Sequence, residues 1–275
     1  MTEIVEKHIT VTEEGLTAID CLTEQLSFSR QQLKQIMQNG ALWLESARES
    51  KYASIVRLRR ARKILRPGDQ LHLYYNSSIQ SAVIPAAELI ADEGGYSIWN
   101  KPSGMLCQGS KWGDHCTIYR WAEKNLRPER PAFIVHRLDR AARGLIILAH
   151  KKKTAAAFSA LFEARKIDKV YSLTAEGIMD NIQLPCRISH QLDGKPAISD
   201  ILSIQNNLRE NTCDIQIKIE TGRKHQIRRQ MADMGHPIVG DRLYGAKNIA
   251  QDLVLISQSQ SFDCPLTGDR KNYSL

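Results

Sequence analysis

His136-Arg137-Leu138-Asp139, followed by Gly144-Leu145-Ile146-Ile147-Leu148, is the stretch from which the rest of this chain is read. It sets one carboxylate beside a glycine turn that opens into an apolar run of strand length, an arrangement suited to an active site. Alone, a His-x-x-Asp pair is also what an incidental loop or half of a metal site would show. Farther along stand Lys169-Val170-Tyr171, then Thr221-Gly222-Arg223-Lys224-His225-Gln226-Ile227-Arg228, then Gly235-His236-Pro237-Ile238-Val239-Gly240-Asp241-Arg242-Leu243-Tyr244-Gly245. Cys213 to Glu220 alternates with Ile215, Ile217 and Ile219 on one face, which predicts a half-buried strand delivering the chain to Thr221. Lys151 to Lys166 places Ala155, Phe158, Leu161 and Phe162 on one face, which predicts a helix packed on the sheet with its aromatics in the core.

Composition bounds the partner. The chain has 275 residues, with 38 Lys plus Arg against 30 Asp plus Glu, a net charge of +8 that favours a polyanion such as nucleic acid. The six cysteines, at 21, 107, 116, 186, 213 and 264, form no Cys-x-x-Cys pair, which indicates reduced thiols and neither a zinc ribbon nor a redox motif. His136, Asp139 and the His115-Cys116 pair lack a further ligand at a metal spacing. The start, Met1 to Lys7, lacks the layout of a signal peptide, and no apolar run approaches the ~20 residues that cross a bilayer. A cytoplasmic protein with no membrane partner is expected.

The amino-terminal part has its own pattern. Ser29 to Gly40 reads as a helix with a Ser29/Gln32 capping box, a Leu33-Ile36-Met37 face and a glycine exit, with a strand next at 41–44. Arg57 to Arg66 then carries six basic side chains in ten residues, ahead of the turn Pro67-Gly68-Asp69-Gln70 and a short strand, Leu71 to Tyr74. Asn76 to Ala86, with its serines and Pro85, reads as a linker. Cys107 to Arg127 is weakly patterned.

In order and spacing, the blocks at 136–148, 169–171, 221–228 and 235–245, with Asn100-Lys101-Pro102-Ser103-Gly104 before them, resemble an RluA-type RNA pseudouridine synthase, from about Tyr96 to Leu255. The amino-terminal order, with Ser29-Arg30 and Gly68-Asp69, resembles the small RNA-binding domain named after ribosomal small-subunit protein four. The resemblance implies a mixed α/β (α+β) catalytic domain around a central, largely antiparallel sheet at 91–275, a linker at 76–90, and a small α/β RNA-binding domain at 1–75. It implies an isomerase that turns uridine into pseudouridine in structured RNA and needs no cofactor and no metal. Ribosomal RNA is favoured by the amino-terminal domain. Gln226-Ile227-Arg228-Arg229 is also similar to tRNA-modifying relatives, and a non-catalytic RNA-binding or ribosome-assembly protein keeping the fold is the main rival. A metal hydrolase built on His136 and Asp139 ranks last.

Residue by residue, the resemblance makes Asp139 the catalytic carboxylate, Tyr171 the ring that stacks on the target uracil, and Arg228 the partner that pairs with Asp139. A guanidinium there would keep the acid ionised and orient it through two parallel hydrogen bonds. His136 would orient the loop. Candidate RNA contacts are Arg30, Lys34, Arg57, Arg59, Arg60 and Arg62 in the amino-terminal part, and Lys101, Arg137, Arg143, Arg223, Lys224, His225 and Arg229 in the catalytic part. Gly235-His236-Pro237 and Gly240-Asp241 read as turns that close the pocket. The chain departs from the family at three places. Ala142-Arg143 stands where Thr-Ser is usual, Gln230 where a histidine is usual, and Leu255-Ile256-Ser257 where Leu-His-Ala is usual. The first departure removes two hydroxyls from beside the site.

Overall fold

The computed structural model describes residues 2–47, 55–245 and 251–275. The chain forms two compact units. The first is Met1–Ile84 with Gln108–Trp121, and the second is Pro85–Cys107 with Ala122–Leu275.

The first unit runs β1 (Ile4–Thr10), α1 (Ala18–Gln25), α2 (Arg30–Gln38), β2 (Leu42–Glu45), β3 (Ile55–Arg57), β4 (Gln70–Asn76) and α3 (Ser77–Gln80). Its four strands form an antiparallel sheet in the order β1-β4-β2-β3. Helix α2 starts where the Ser29 hydroxyl accepts from Gln32 N and the Gln32 side chain accepts from Ser29 N, and it leaves through Gly40 at φ +80. Leu33, Ile36 and Met37 are buried against Leu22, Leu42 and Leu71, so the predicted face is the packed one. The stretch read as a linker opens instead with α3, a single helical turn capped by the Asn76 side chain.

In the second unit, β5 (Glu88–Asp92), β6 (Tyr96–Lys101), α4 (Ile118–Asn125, which begins in the first unit's segment), β7 (Phe133–Ile134), β8 (Arg143–Ala149), α5 (Lys152–Glu163) and β9 (Ile167–Glu176) come first. They are followed by β10 (Cys186–Leu192), β11 (Lys195–Asn207), β12 (Thr212–Ile219), α6 (Gln226–Asp233), β13 (Leu255–Asp263) and β14 (Arg270–Ser274). A ten-stranded sheet takes the order β10-β11-β12-β9-β13-β8-β6-β5, with β14 on β13 and β7 on β8. All named pairs are antiparallel except β13 with β8. The fold is therefore the mixed α/β class with an antiparallel-rich sheet. On β12, Ile215, Ile217 and Ile219 are all buried, as their alternation predicts. On α5, Phe158 is buried between Tyr96 and Phe262, whereas Phe162 is only half-buried and its ring lies 4.7 Å from that of His136. Among the described residues, no helix is long and apolar enough to cross a membrane.

Gly144 shows why the block after Asp139 needs glycine. Here the parallel pairing puts Ser257 opposite, the backbone sits at φ +112, and a Cβ would lie 2.5 Å from Ser257 O. No L side chain fits both conditions.

Candidate active site

Asp139 lies on the loop between β7 and β8, and neighbouring backbone holds that loop from several sides. The Cys107 thiol donates to Leu138 O and accepts from Leu138 N, both at 3.3 Å. Gly104 N donates to Arg140 O at 2.8 Å, and the Ser103 hydroxyl donates to Ala141 O at 2.9 Å. Lys101 Nζ donates to Pro102 O and Met105 O at 2.9 Å each and reaches Arg140 O at 3.4 Å. The Asn-Lys-Pro-Ser-Gly turn thus clasps the loop, so the loss of hydroxyls at Ala142-Arg143 leaves it anchored.

The same bonds correct the reading of Lys101 as an RNA contact. Its side chain is fully buried, and burial pulls its amine down to about 8. An ammonium enclosed by carbonyls has no face left for a phosphate.

His136 is tied to β8 by one hydrogen bond. Its Nε2 accepts from Ile147 N at 2.9 Å, which places the ring proton on Nδ1. Burial first, and Lys169 second, push the imidazole down to about 3, so it stays neutral.

Arg228 enters from α6, nearly buried. Its Nε and Nη2 each donate to an Asp241 carboxylate oxygen at 2.7 Å, while Nη1 stands 3.6 Å from Asp139 Oδ2. The two-bond partner is thus Asp241, not Asp139, and the contact with Asp139 is an ion pair without a hydrogen bond. Asp241 follows the positive-φ Gly240 and also accepts from Leu243 N at 2.9 Å and Tyr244 N at 3.2 Å. Burial alone would raise the Asp241 carboxyl, but Arg228 and those N–H groups hold it below the usual range. A residue read from sequence as turn chemistry is the anchor of the site's arginine.

Tyr171 is buried on β9, where Ser257 of β13 stands opposite it in the antiparallel register. Burial raises its phenol far above the ordinary value, so the ring is neutral. Ser257, where the family usually has alanine, is thus the cross-strand neighbour of the residue expected to hold the base. His225, expected at the RNA backbone, lies inside the site. It sits in the left-handed region at φ 54 as the cap of α6, with Nε2 3.8 Å from Asp139 Oδ1 and Nδ1 3.0 Å from the Tyr244 hydroxyl. Burial lowers its imidazole, opposed by Asp139. No spacing in the sequence distinguishes it from Lys224, because the turn that points one inward and the other outward is tertiary.

Asp139, Tyr171, Arg228 and His225 line one cavity of about 90 Å³, with Ile219 and Leu255 in its apolar wall. Asp139 and Tyr171 also border an open cleft of about 730 Å³. Gln230, at the usual histidine position, is buried and ties α6 to β11, accepting from the Ser199 hydroxyl at 2.7 Å and donating to Ala197 O at 3.1 Å.

The sequence model of the RNA pseudouridylate synthase family matches residues 95–233, which include all of these loops except Gly240-Asp241 and β13. The chain belongs to that family. RNA pseudouridine synthases of the RluA type are among its relatives. The dual-specificity RNA pseudouridine synthase RluA of Escherichia coli K12 is 29% identical over 63% of this chain and 85% of that protein, and the RluA of Haemophilus influenzae is 29% identical over 69% and 93%. An uncharacterized RNA pseudouridine synthase of Aquifex aeolicus is 25% identical over 84% of this chain and 77% of its own length. The solved structure of human RNA pseudouridylate synthase domain containing 1 shares the fold, with a TM-score of 0.59 at 18% identity over 70% of this chain and 84% of that one. This pseudouridine synthase is accordingly an RNA-modifying isomerase.

The other expected RNA contacts divide by exposure. Arg137, Arg143 and Lys224 are exposed, Arg223 Nε donates to Pro196 O at 2.9 Å, and Arg229 faces Asp193 at 3.1 Å. In the first unit, Lys34, Arg60 and Arg62 are exposed, and Arg30 pairs with Asp20 at 2.8 Å. Arg57 and Arg59 turn inward instead. Arg57 donates to Gly40 O and Ser110 O and lies 4.2 Å over Trp43, while Arg59 meets the buried Asp114 at 2.5 Å. Their charges are committed within the unit, which removes them as free phosphate contacts.

Proposed function

We propose that this synthase isomerises specific uridines in structured cytoplasmic RNA, ribosomal RNA in the first instance, with Asp139 as the catalytic carboxylate, Tyr171 as the base platform and Arg228 as the group that fixes Asp139. The reaction breaks the bond from ring nitrogen 1 to ribose carbon 1′, turns the held uracil, joins ring carbon 5 to the same ribose carbon, and moves the proton from carbon 5 so that nitrogen 1 ends protonated. Atoms balance without an electron carrier. The observation that carries this reading is that Asp139, Tyr171 and Arg228, distant in sequence, open on one cavity whose wall includes the apolar Ile219 and Leu255. Such a pocket keeps water off a detached base, and a neutral aromatic face holds a ring that must rotate. The target is taken out of its stack to reach it.

The substrate preference rests on the first unit. Its capped α2 and the exposed Lys34, Arg60 and Arg62 agree with a domain like that of ribosomal small-subunit protein four. The similarity of Gln226-Ile227-Arg228-Arg229 to tRNA-modifying relatives makes tRNA the second pool to test. The experiment is tritium release from ribosomal RNA and tRNA labelled at uridine carbon 5 and taken from cells lacking the protein. Release from ribosomal RNA is expected; release from tRNA alone would reverse the substrate assignment, and none from either would favour a non-catalytic RNA-binding role. Replacing Arg60 and Arg62 together by Gln is expected to flatten the salt dependence of RNA binding by about 1.4 to 1.8 in log–log slope. An unaltered slope would remove these side chains from the interface.

A further inference from the structure

Beside the catalytic cavity the open cleft holds a cation that the site chemistry leaves unused. Lys169 lies two residues before Tyr171 on β9, so strand alternation puts both side chains on the same face, about 7 Å apart along the strand. Both line the cleft. Lys169 is half-buried, and burial pulls its amine below the ordinary lysine value. Among the described residues it has no carboxylate partner. Its neighbour Asp168 pairs with Lys218 at 2.6 Å and Arg270 at 3.0 Å, and the cleft's Glu220 is held by Arg187. Its Nζ lies 5.7 Å from the centre of the Phe162 ring, whose neighbour His136 is neutral. An ammonium partly stripped of water and left without a counter-charge costs free energy that an incoming anion would restore. The rim adds Arg137, Arg165, Arg223 and Lys224, against the acids Asp139, Glu163 and Glu220.

We propose that this cleft is a second nucleotide subsite, in which Lys169 receives the backbone phosphate adjoining the target uridine while Tyr171 receives the target's base. The proposal rests on the pseudouridine synthase reading. The ligand class is RNA backbone phosphate, since a lysine is a point charge that does not read a base edge. Lys169 is a positioning residue with no part in the proton chemistry.

The test compares wild type, Lys169→Gln and Lys169→Arg in pseudouridine formation on whichever RNA pool supports it, across a salt series. Lys169→Gln is expected to raise KM about tenfold with kcat within twofold, and to flatten the salt slope of kcat/KM by about 0.7 to 0.9, with Lys169→Arg restoring the slope. A role in packing alone would leave the slope unmoved, and that result, or a loss confined to kcat, would overturn the proposal. A second measurement avoids mutation: wild-type protein is acylated with a small amine reagent with and without total ribosomal RNA and tRNA, and Lys169 is quantified by peptide mass. Protection by RNA supports the subsite, and equal labelling overturns it. If wild type forms no pseudouridine yet RNA protects Lys169, the catalytic reading fails and the phosphate subsite stands.

Discussion

Asp139→Asn is expected to lower pseudouridine formation by on the order of 10⁴-fold or more, while RNA affinity stays within a few-fold. The amide keeps the shape and removes the charge. Two features make this a clean test. The first is that Asp139 accepts no hydrogen bond from Arg228, whose nearest nitrogen is 3.6 Å away, so the change strands no buried donor. The second is that Arg228 keeps both of its short bonds to Asp241, which leaves the cavity wall standing. Unfolding midpoints of wild type and variant should therefore agree. Activity within tenfold of wild type would remove Asp139 from the chemistry. Binding lost together with activity would assign it to RNA recognition instead.

Asp241→Asn is expected to have the larger effect on the protein itself. It breaks a buried, two-bond ion pair and leaves the Arg228 guanidinium with only the 3.6 Å ion pair to Asp139, a loss of about 3–5 kcal/mol. For a chain of this size that corresponds to a fall in Tm of roughly 10 °C. The acid limb should change as well. The Asp241 carboxyl is held below its ordinary value, so its contribution is present above the unfolded value of about 3.9 and is lost as pH falls through the lower folded value. His136, pushed down to about 3, behaves with the same sign from a higher start: its contribution is complete above about 6.5 and declines toward pH 3 as the unfolded chain takes up the proton. Urea midpoints at pH 7, 5 and 3 separate the two. The variant should lose stability at pH 7, keep the decline from pH 7 to 5, and show a flatter decline from pH 5 to 3. An unchanged midpoint at pH 7 would contradict the buried pair. Activity should fall too, because Arg228 loses the anchor that aims it at Asp139.

Local elements were legible because their causes are local. The α2 capping box, the β12 alternation and the apolar run of β8 each follow from residues within a few positions of one another. The β10–β11 hairpin carried no such signal, and the pairing of β11 with β12 is broken by a bulge between Ile201 and Ser203. Exposure of charge was the least legible property. Six cations between Arg57 and Arg66 look equivalent in sequence, yet Arg57 and Arg59 turn toward Gly40 and Asp114 while Arg60 and Arg62 face solvent. Lys101 reads like any surface lysine, and its burial depends on carbonyls contributed by Met105 and Arg140.

By itself the sequence determined the family and the mixed α/β class and pointed to Asp139, Tyr171 and Arg228 as the proposed reacting groups, because such groups and the glycine beside them are dictated by chemistry and backbone sterics at single positions. Tertiary structure alone decided which groups meet: Asp241 on Arg228, Ser257 opposite Tyr171, His225 beside Asp139, and Lys169 with no carboxylate partner among the described residues. Those relations depend on distances between segments tens of residues apart, which the packing of the sheet sets and no local spacing records.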